Sequence, residues 1–329
     1  MVDHRIDAAR TGGAQTDTAV QVTMELTPSD GVVIEGGSLG VSILITALRP
    51  ALIEHAELCL IRKVNYTYGR GNVYGAVFPA RERTTTVVSS FELPAPGELP
   101  AGEKRHLSSS LHIPSDGPAS VRGDLIDVGW SVRCELHAAG GQLVKRERLI
   151  EVQSWGQSSA TDIGHPPVGE NLEHVELEFI ALSSRILEPG TPLTGILRLR
   201  ATDEFATRGV RVQLVRCEEV LGGPGQPADL NASESEGYRH SEAAIATATA
   251  AAAGTLTPGT VVDLPFTVQT PAGLPAPSML IDNLHVRWEL RAIVDLLLRR
   301  NPRLSLDLLA VTATRQPGDA PRPGSLDTE

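Results

Sequence analysis

The amino-acid sequence repeats itself, with the two copies about 155 residues apart. Leu125-Ile126-Asp127 returns as Leu280-Ile281-Asp282, and Val132-Arg133-Cys134-Glu135-Leu136-His137-Ala138 returns as Val286-Arg287-Trp288-Glu289-Leu290-Arg291-Ala292. Upstream, Leu60-Ile61-Arg62 answers Leu214-Val215-Arg216, and Leu99-Pro100-Ala101-Gly102 answers Leu256-Thr257-Pro258-Gly259. Earlier still, Ile34-Glu35-Gly36-Gly37-Ser38 answers Leu187-Glu188-Pro189-Gly190-Thr191. The anchors keep their order while their spacing drifts by a few residues. A period this long exceeds a solenoid unit, so each copy is expected to be a whole domain with a core of its own. What recurs is apolar strand pattern and turn chemistry; no cluster of reactive side chains is duplicated.

At 329 residues the chain has room for two domains of ordinary size. Aromatic residues make up only 4%, so the cores must rest on Val, Leu, Ile and Ala. The 31 glycines and 23 prolines fall mostly between apolar runs, as many-turned β structure requires. A formal net charge of -11 argues against nucleic-acid partners, because such a surface on average repels phosphate. Cys59, Cys134 and Cys217 are too few and too scattered for a zinc ribbon or a disulfide framework. Cys134 stands in the slot that Trp288 fills in the second copy, which reads as a space-filling role. Met1 to Thr18 lacks the apolar stretch of a signal peptide, and no window approaches the roughly 18 apolar residues of a membrane span. A cytoplasmic protein without a membrane span is the expectation.

These features predict an all-β chain: two tandem antiparallel, immunoglobulin-like β-sandwiches with disordered tails at 1–18 and 314–329. The N-terminal sandwich is expected over 19–155, where Val20, Val22, Met24 and Leu26 alternate with polar residues. A Gly/Ser/Pro-rich linker follows at 156–171, and the C-terminal sandwich occupies 172–313. Ala243 to Ala253 is Ala/Thr-rich and has helical propensity, but its place in the repeat, opposite Thr84 to Leu93, predicts a strand. Val132, Cys134 and Leu136 share one face and Arg133, Glu135 and His137 the other. Val286, Trp288 and Leu290 stand in the same relation to Arg287, Glu289 and Arg291. The charged faces are expected to be solvated or laced by cross-strand pairs.

Each copy thus carries a strand, a Glu-x-Gly turn, a later apolar-Pro run such as Leu264-Pro265-Phe266-Thr267-Val268, and the Val-Arg-x-Glu-Leu-x-Ala strand. This layout resembles the arrestin N- and C-domain pattern, and the second copy is similar to bacterial sporulation-control arrestin-like proteins. The resemblance covers about residues 19–313. It implies an arrestin-like adaptor or scaffold, monomeric or homodimeric, that holds protein partners and has no catalytic centre and no cofactor. Some family features are missing. His165-Pro166-Pro167-Val168 offers only the prolines of a Pro-Pro-x-Tyr motif, the buried charged cluster of the visual and β-arrestins has no match, and the tail from Thr314 carries no adaptor-binding sequence. Trafficking roles therefore do not carry over.

The residues themselves offer little reactive chemistry. No Gly-x-Ser-x-Gly elbow, phosphate loop or dinucleotide fingerprint occurs, and no His-x-x-x-His pair supports a metal site. His106 and His112 share a strand face by their even spacing and read as exposed strand residues. The recurrent Asp127 and Asp282 read as turn or strand-start carboxylates. Arg122-Gly123-Asp124, an integrin-type tripeptide, reads as a turn before a strand. One stretch stands out in a chain poor in aromatics. Tyr66, Tyr68, Tyr74 and Phe78 are interleaved with Arg70, Arg81, Arg83 and several glycines between Asn65 and Arg83. Tyr and Arg on such an arm are what protein-binding surfaces use, so Tyr66, Tyr68, Arg70, Tyr74, Phe78 and Arg81 are the candidate partner contacts. The plainer alternative is a long hairpin whose aromatics pack on the sheet edge or on the other sandwich. The functional expectation is a non-enzymatic adaptor; the alternative is a structural protein that self-associates through exposed sandwich edges.

Overall fold

The computed structural model describes residues 19–71, 76–155, 166–224, 237–297 and 299–313; both tails expected to be disordered lie outside them. The described residues are all-β, and no helix is long and apolar enough to cross a membrane. The first copy supplies β1 (Val20–Thr27), β2 (Val32–Ile34), β3 (Ser38–Ala47), β4 (Ala51–Gly71), β5 (Val77–Leu93), β6 (Gly97–Leu99), β7 (Lys104–His112), β8 (Val121–Arg122), β9 (Ile126–Ala138) and β10 (Gln142–Gln153). These form a three-stranded sheet, β1-β3-β7, and a larger one, β2-β10-β9-β4-β5, with β6 and β8 attached to β4 and β9.

The second copy supplies β11 (Val168–Glu170), β12 (Val175–Leu182), β13 (Ile186–Leu187), β14 (Leu193–Ala201), β15 (Phe205–Leu221), β16 (Tyr238–Leu256), β17 (Val261–Val268), β18 (Met279–Ile281), β19 (Leu284–Leu296) and β20 (Arg303–Ala310). Its sheets run β12-β14-β17 and β11-β20-β19-β15-β16, so the two copies share one topology. Alternation explains the packing. Leu39, Val41, Ile43, Ile45 and Ala47 fall at every second residue of β3 and are all buried between the sheets. The Ala/Thr run is a strand, β16, paired along its length with β15; the pairing partner outweighs the alanines' helical preference.

Hydrogen bonds establish which anchors are equivalent. Gly36 and Gly190 both take a left-handed φ, 74° and 70°, and donate to Ile113 and Pro271 at the matching strand ends. Gly102 and Gly259 donate to the carbonyls of Ala47 and Ala201, the last residues of β3 and β14. One anchor shifts. Arg62 pairs with Trp130 across β4 and β9, whereas Arg216 pairs with Trp288 across β15 and β19. Trp130, four residues before Cys134, is therefore the counterpart of Trp288. Both indoles are buried, and a four-residue slip leaves every side chain on its original face, which is why the local pattern concealed it. The same shift separates the two Leu-Ile-Asp motifs. Asp127 lies inside β9, while Asp282 is a left-handed turn residue (φ 48°) between β18 and β19.

Two expectations about domain boundaries are corrected. Val168–Glu170, inside the segment expected as linker, forms β11 and pairs with β20, so the second sandwich begins before Leu172; residues 156–165 lie outside the described residues. The cores are also not separate. The hydrophobic cluster of the first sandwich takes in Val220, Ala276, Met279, Leu284 and Val286 of the second. The sandwiches meet through buried apolar surface, and the first is completed by the second.

Candidate functional site

The arm is the hairpin of β4 and β5, paired from Ala56↔Leu93 to Gly71↔Val77 with one register shift between Leu60 and Ile61. The structure divides the six candidate residues. Tyr66 is buried in the shared core, Tyr68 packs beside it at 6.1 Å between ring centroids, and both lie at the junction of the sandwiches. Burial raises the Tyr66 phenol above its ordinary pKa, although Asn283 of the second sandwich hydrogen-bonds to it. At Gly69 the arm touches β16: its carbonyl accepts from the Gly237 amide at 2.7 Å, and a Cβ there would meet the Tyr238 carbonyl at 2.8 Å. Arg70, Phe78 and Arg81 instead face solvent. Tyr74 lies outside the described residues. The hairpin is thus rooted by its tyrosines and exposed along β5.

A second constellation, unforeseen from the sequence, sits beside the root. Val212, Leu214, Arg216, Glu218 and Val220 occupy the buried face of β15, two of them charged. The Glu218 carboxylate accepts from the backbone amides of Asp124, Leu125 and Ile126 at 2.9, 2.8 and 3.0 Å. Arg216 lies 2.8 Å from Glu218 and donates to the Asp124 carboxylate at 3.1 Å. Gly123 makes this possible, since a Cβ there would stand 2.3 Å from Glu218 Oε2. Arg122-Gly123-Asp124 is therefore the receiving half of a clasp between the sandwiches, more than the simple turn expected. The signal available in the sequence was the pair of charges on a face whose alternation demanded apolar residues.

The outer faces of the larger sheets are laced as expected. In the first sandwich Arg133 pairs with Glu135 and Glu147, Lys145 with Glu135, and Lys63 with Glu147. In the second, Arg287 reaches Glu219 at 2.9 Å and Glu289 at 3.1 Å, and Arg291 reaches Glu289 at 2.7 Å. There the lacing is dense enough to bury Glu289 and Arg291. Hydrogen bonding from His285, aided by Arg287, holds the Glu219 carboxyl down at about 2. These faces are networks of cross-strand ion pairs, joined in the second sandwich by His240 and His285 beside Glu219 and Glu242.

The three cysteines are free and buried. Burial pushes the Cys134 and Cys217 thiols up to about 12 and the Cys59 thiol to about 11, so none carries thiolate near neutrality. His106 Nε2 lies 2.7 Å from Ser42 Oγ on the exposed face of the smaller sheet, and Asp127 accepts from Asn65. Among the described residues no group of three or more His, Cys, Asp or Glu is placed to hold a metal ion. No protein-family model and no curated protein matches the chain.

Proposed function

We propose that this protein is a non-enzymatic, arrestin-like adaptor of the cytoplasm that holds protein partners on the β4–β5 hairpin. The observation that carries this reading is the hairpin's two-sidedness. Its root is fixed by Tyr66, Tyr68 and the neighbouring clasp, while Val77, Phe78, Arg70 and Arg81 stand exposed. A surface held rigid before binding loses little conformational entropy when a partner docks, and exposed apolar and Arg side chains supply contact energy. The test is affinity capture with the full chain as bait, beside Val77→Ser/Phe78→Ser. The variant is expected to melt with the parent and to lose its captured proteins; an unchanged set of captured proteins moves the binding surface elsewhere.

A second reading is favoured by β16. Fourteen consecutive residues, Ala243 to Leu256, lack charge on the edge strand of the second sandwich, which suits self-association by edge pairing. Sedimentation velocity over a concentration series separates the readings, because assembly through β16 yields species larger than a dimer or a dimer that Thr249→Lys, on the exposed face of the strand, dissolves.

A further inference from the structure

β5 is a 17-residue strand at the end of the larger sheet of the first sandwich, with β4 on one side and no strand on the other among the described residues. Its free edge offers backbone donors and acceptors to any extended chain. Natural edges of this length are usually blunted by lysine, proline or inward charge. β5 has Pro79 near its start and charges at 81–83 and 92, but the eight residues between them, Thr84-Thr85-Thr86-Val87-Val88-Ser89-Ser90-Phe91, have none of these. Val87 is 55% exposed and Phe78 56%, so apolar side chains flank the edge as well. β16 is the less regular template, since its ladder with β15 slips twice and that of β5 with β4 once.

Charge says what kind of chain fits. Along the hairpin Arg62, Lys63, Arg70, Arg81 and Arg83 stand against Glu82, with Glu57 and Glu92 nearer its base and Lys63 already paired with Glu147, in a protein whose net charge is -11. Arg70, Arg81 and Arg83 have no ion pair among the described residues. Arg81 and Arg83 line a groove of about 420 Å³ with Asn65 and Thr67. Of its three acids, Asp124 is paired with Arg216, Asp127 accepts from the neutral amide of Asn65, and Glu82 sits between the two arginines in sequence, so the arginines are only partly balanced. A second copy meeting β5 edge to edge would bring two sets of unpaired arginines together. An acidic chain would neutralise them.

We propose that an extended acidic segment of a partner protein adds to β5 as a further strand, its backbone pairing with the free edge and its carboxylates meeting Arg81 and Arg83. The proposal rests on the adaptor reading and names the partner chemistry for the same hairpin. The probe is a fluorescein-labelled peptide of alternating Glu and Val, titrated into the full chain by anisotropy. Its controls are a Lys/Val peptide and a Glu/Val peptide N-methylated at alternate amides. The Glu/Val peptide is expected to bind, to weaken with salt, and to weaken about tenfold or more against Arg81→Glu/Arg83→Glu. Both arginines are exposed, and Arg81→Gln/Arg83→Gln replaces the reversal if melting shows that it disturbs the fold.

Equal binding of the Lys/Val peptide, full binding of the N-methylated peptide, or indifference to both arginine variants overturns the proposal. So does a dimer that the Glu/Val peptide fails to compete away. Capture from lysate tells the two readings apart. Partners retained by the arginine variants overturn strand addition and leave the adaptor standing, whereas a parent chain that captures nothing removes the adaptor and leaves the peptide result intact.

Discussion

Alanine at position 123 is the sharpest test of how the two sandwiches are held. Gly123 has no left-handed φ, so the new methyl costs nothing in backbone strain, and the whole effect comes from the Glu218 carboxylate 2.3–2.6 Å away. Glu218 cannot swing aside cheaply: it is 1% exposed, bound by three amides and paired with Arg216. Hydrogen bonds to a charged group contribute about 1.5–3 kcal/mol each, and their sum overstates the loss because the carboxylate keeps part of its shell. Breaking a buried charge cluster typically costs about 3–5 kcal/mol, and Gly123→Ala is expected within that range, lowering the melting temperature by roughly 10 °C. Differential scanning calorimetry should show one transition for the parent and two for the variant as the sandwiches uncouple. The decisive control is the double-mutant cycle with Glu218→Ala, in whose background Gly123→Ala should be nearly neutral. A Gly123→Ala chain that melts with the parent, or a cost that persists without Glu218, refutes the clasp.

Trp288→Ala should cost about 3–5 kcal/mol by emptying a fully buried site in the second sandwich, read by urea denaturation; an unchanged midpoint would place the indole outside the core. Acid should also unfold the protein through Glu219. Its folded pKa of about 2 lies below the ordinary 4.5, so its contribution is complete above about pH 5 and fades as pH falls toward 2. The two values correspond to about 3 kcal/mol, and Glu219→Gln should flatten the stability profile in that window; a parallel fall in parent and variant assigns the acid sensitivity to other groups.

What the sequence revealed was whatever alternates locally. The inward set of β3, the paired turn glycines at 102 and 259, and the strand character of the Ala/Thr run follow from period and repeat alone. What stayed hidden depends on counting across strands or on distant contacts. The slip that matches Trp130 to Trp288 moves by an even number and so leaves the pattern unaltered. Tyr66 looked like a binding residue because aromatics beside arginines suit both an interface with a partner and one within the chain; only its burial in a core shared with the second sandwich decides between them. Glu218 contacts residues 92–94 positions away, which no window along the chain can foresee.

The shared core bears on how the molecule is made. A ribosome finishes β10 long before Met279, Leu284 and Val286 have been synthesised, so the leading half emerges with part of its apolar surface uncovered. At about 5–20 residues per second, the interval of about 130 residues lasts on the order of ten seconds. Through that time the nascent chain presents both an unfinished interior and the bare rim of β5 to the surrounding solution. Its yield in a cell should therefore depend on translation speed and chaperone supply, and a gene ending after Gln153 should give an aggregation-prone product where the whole gene gives a folded one.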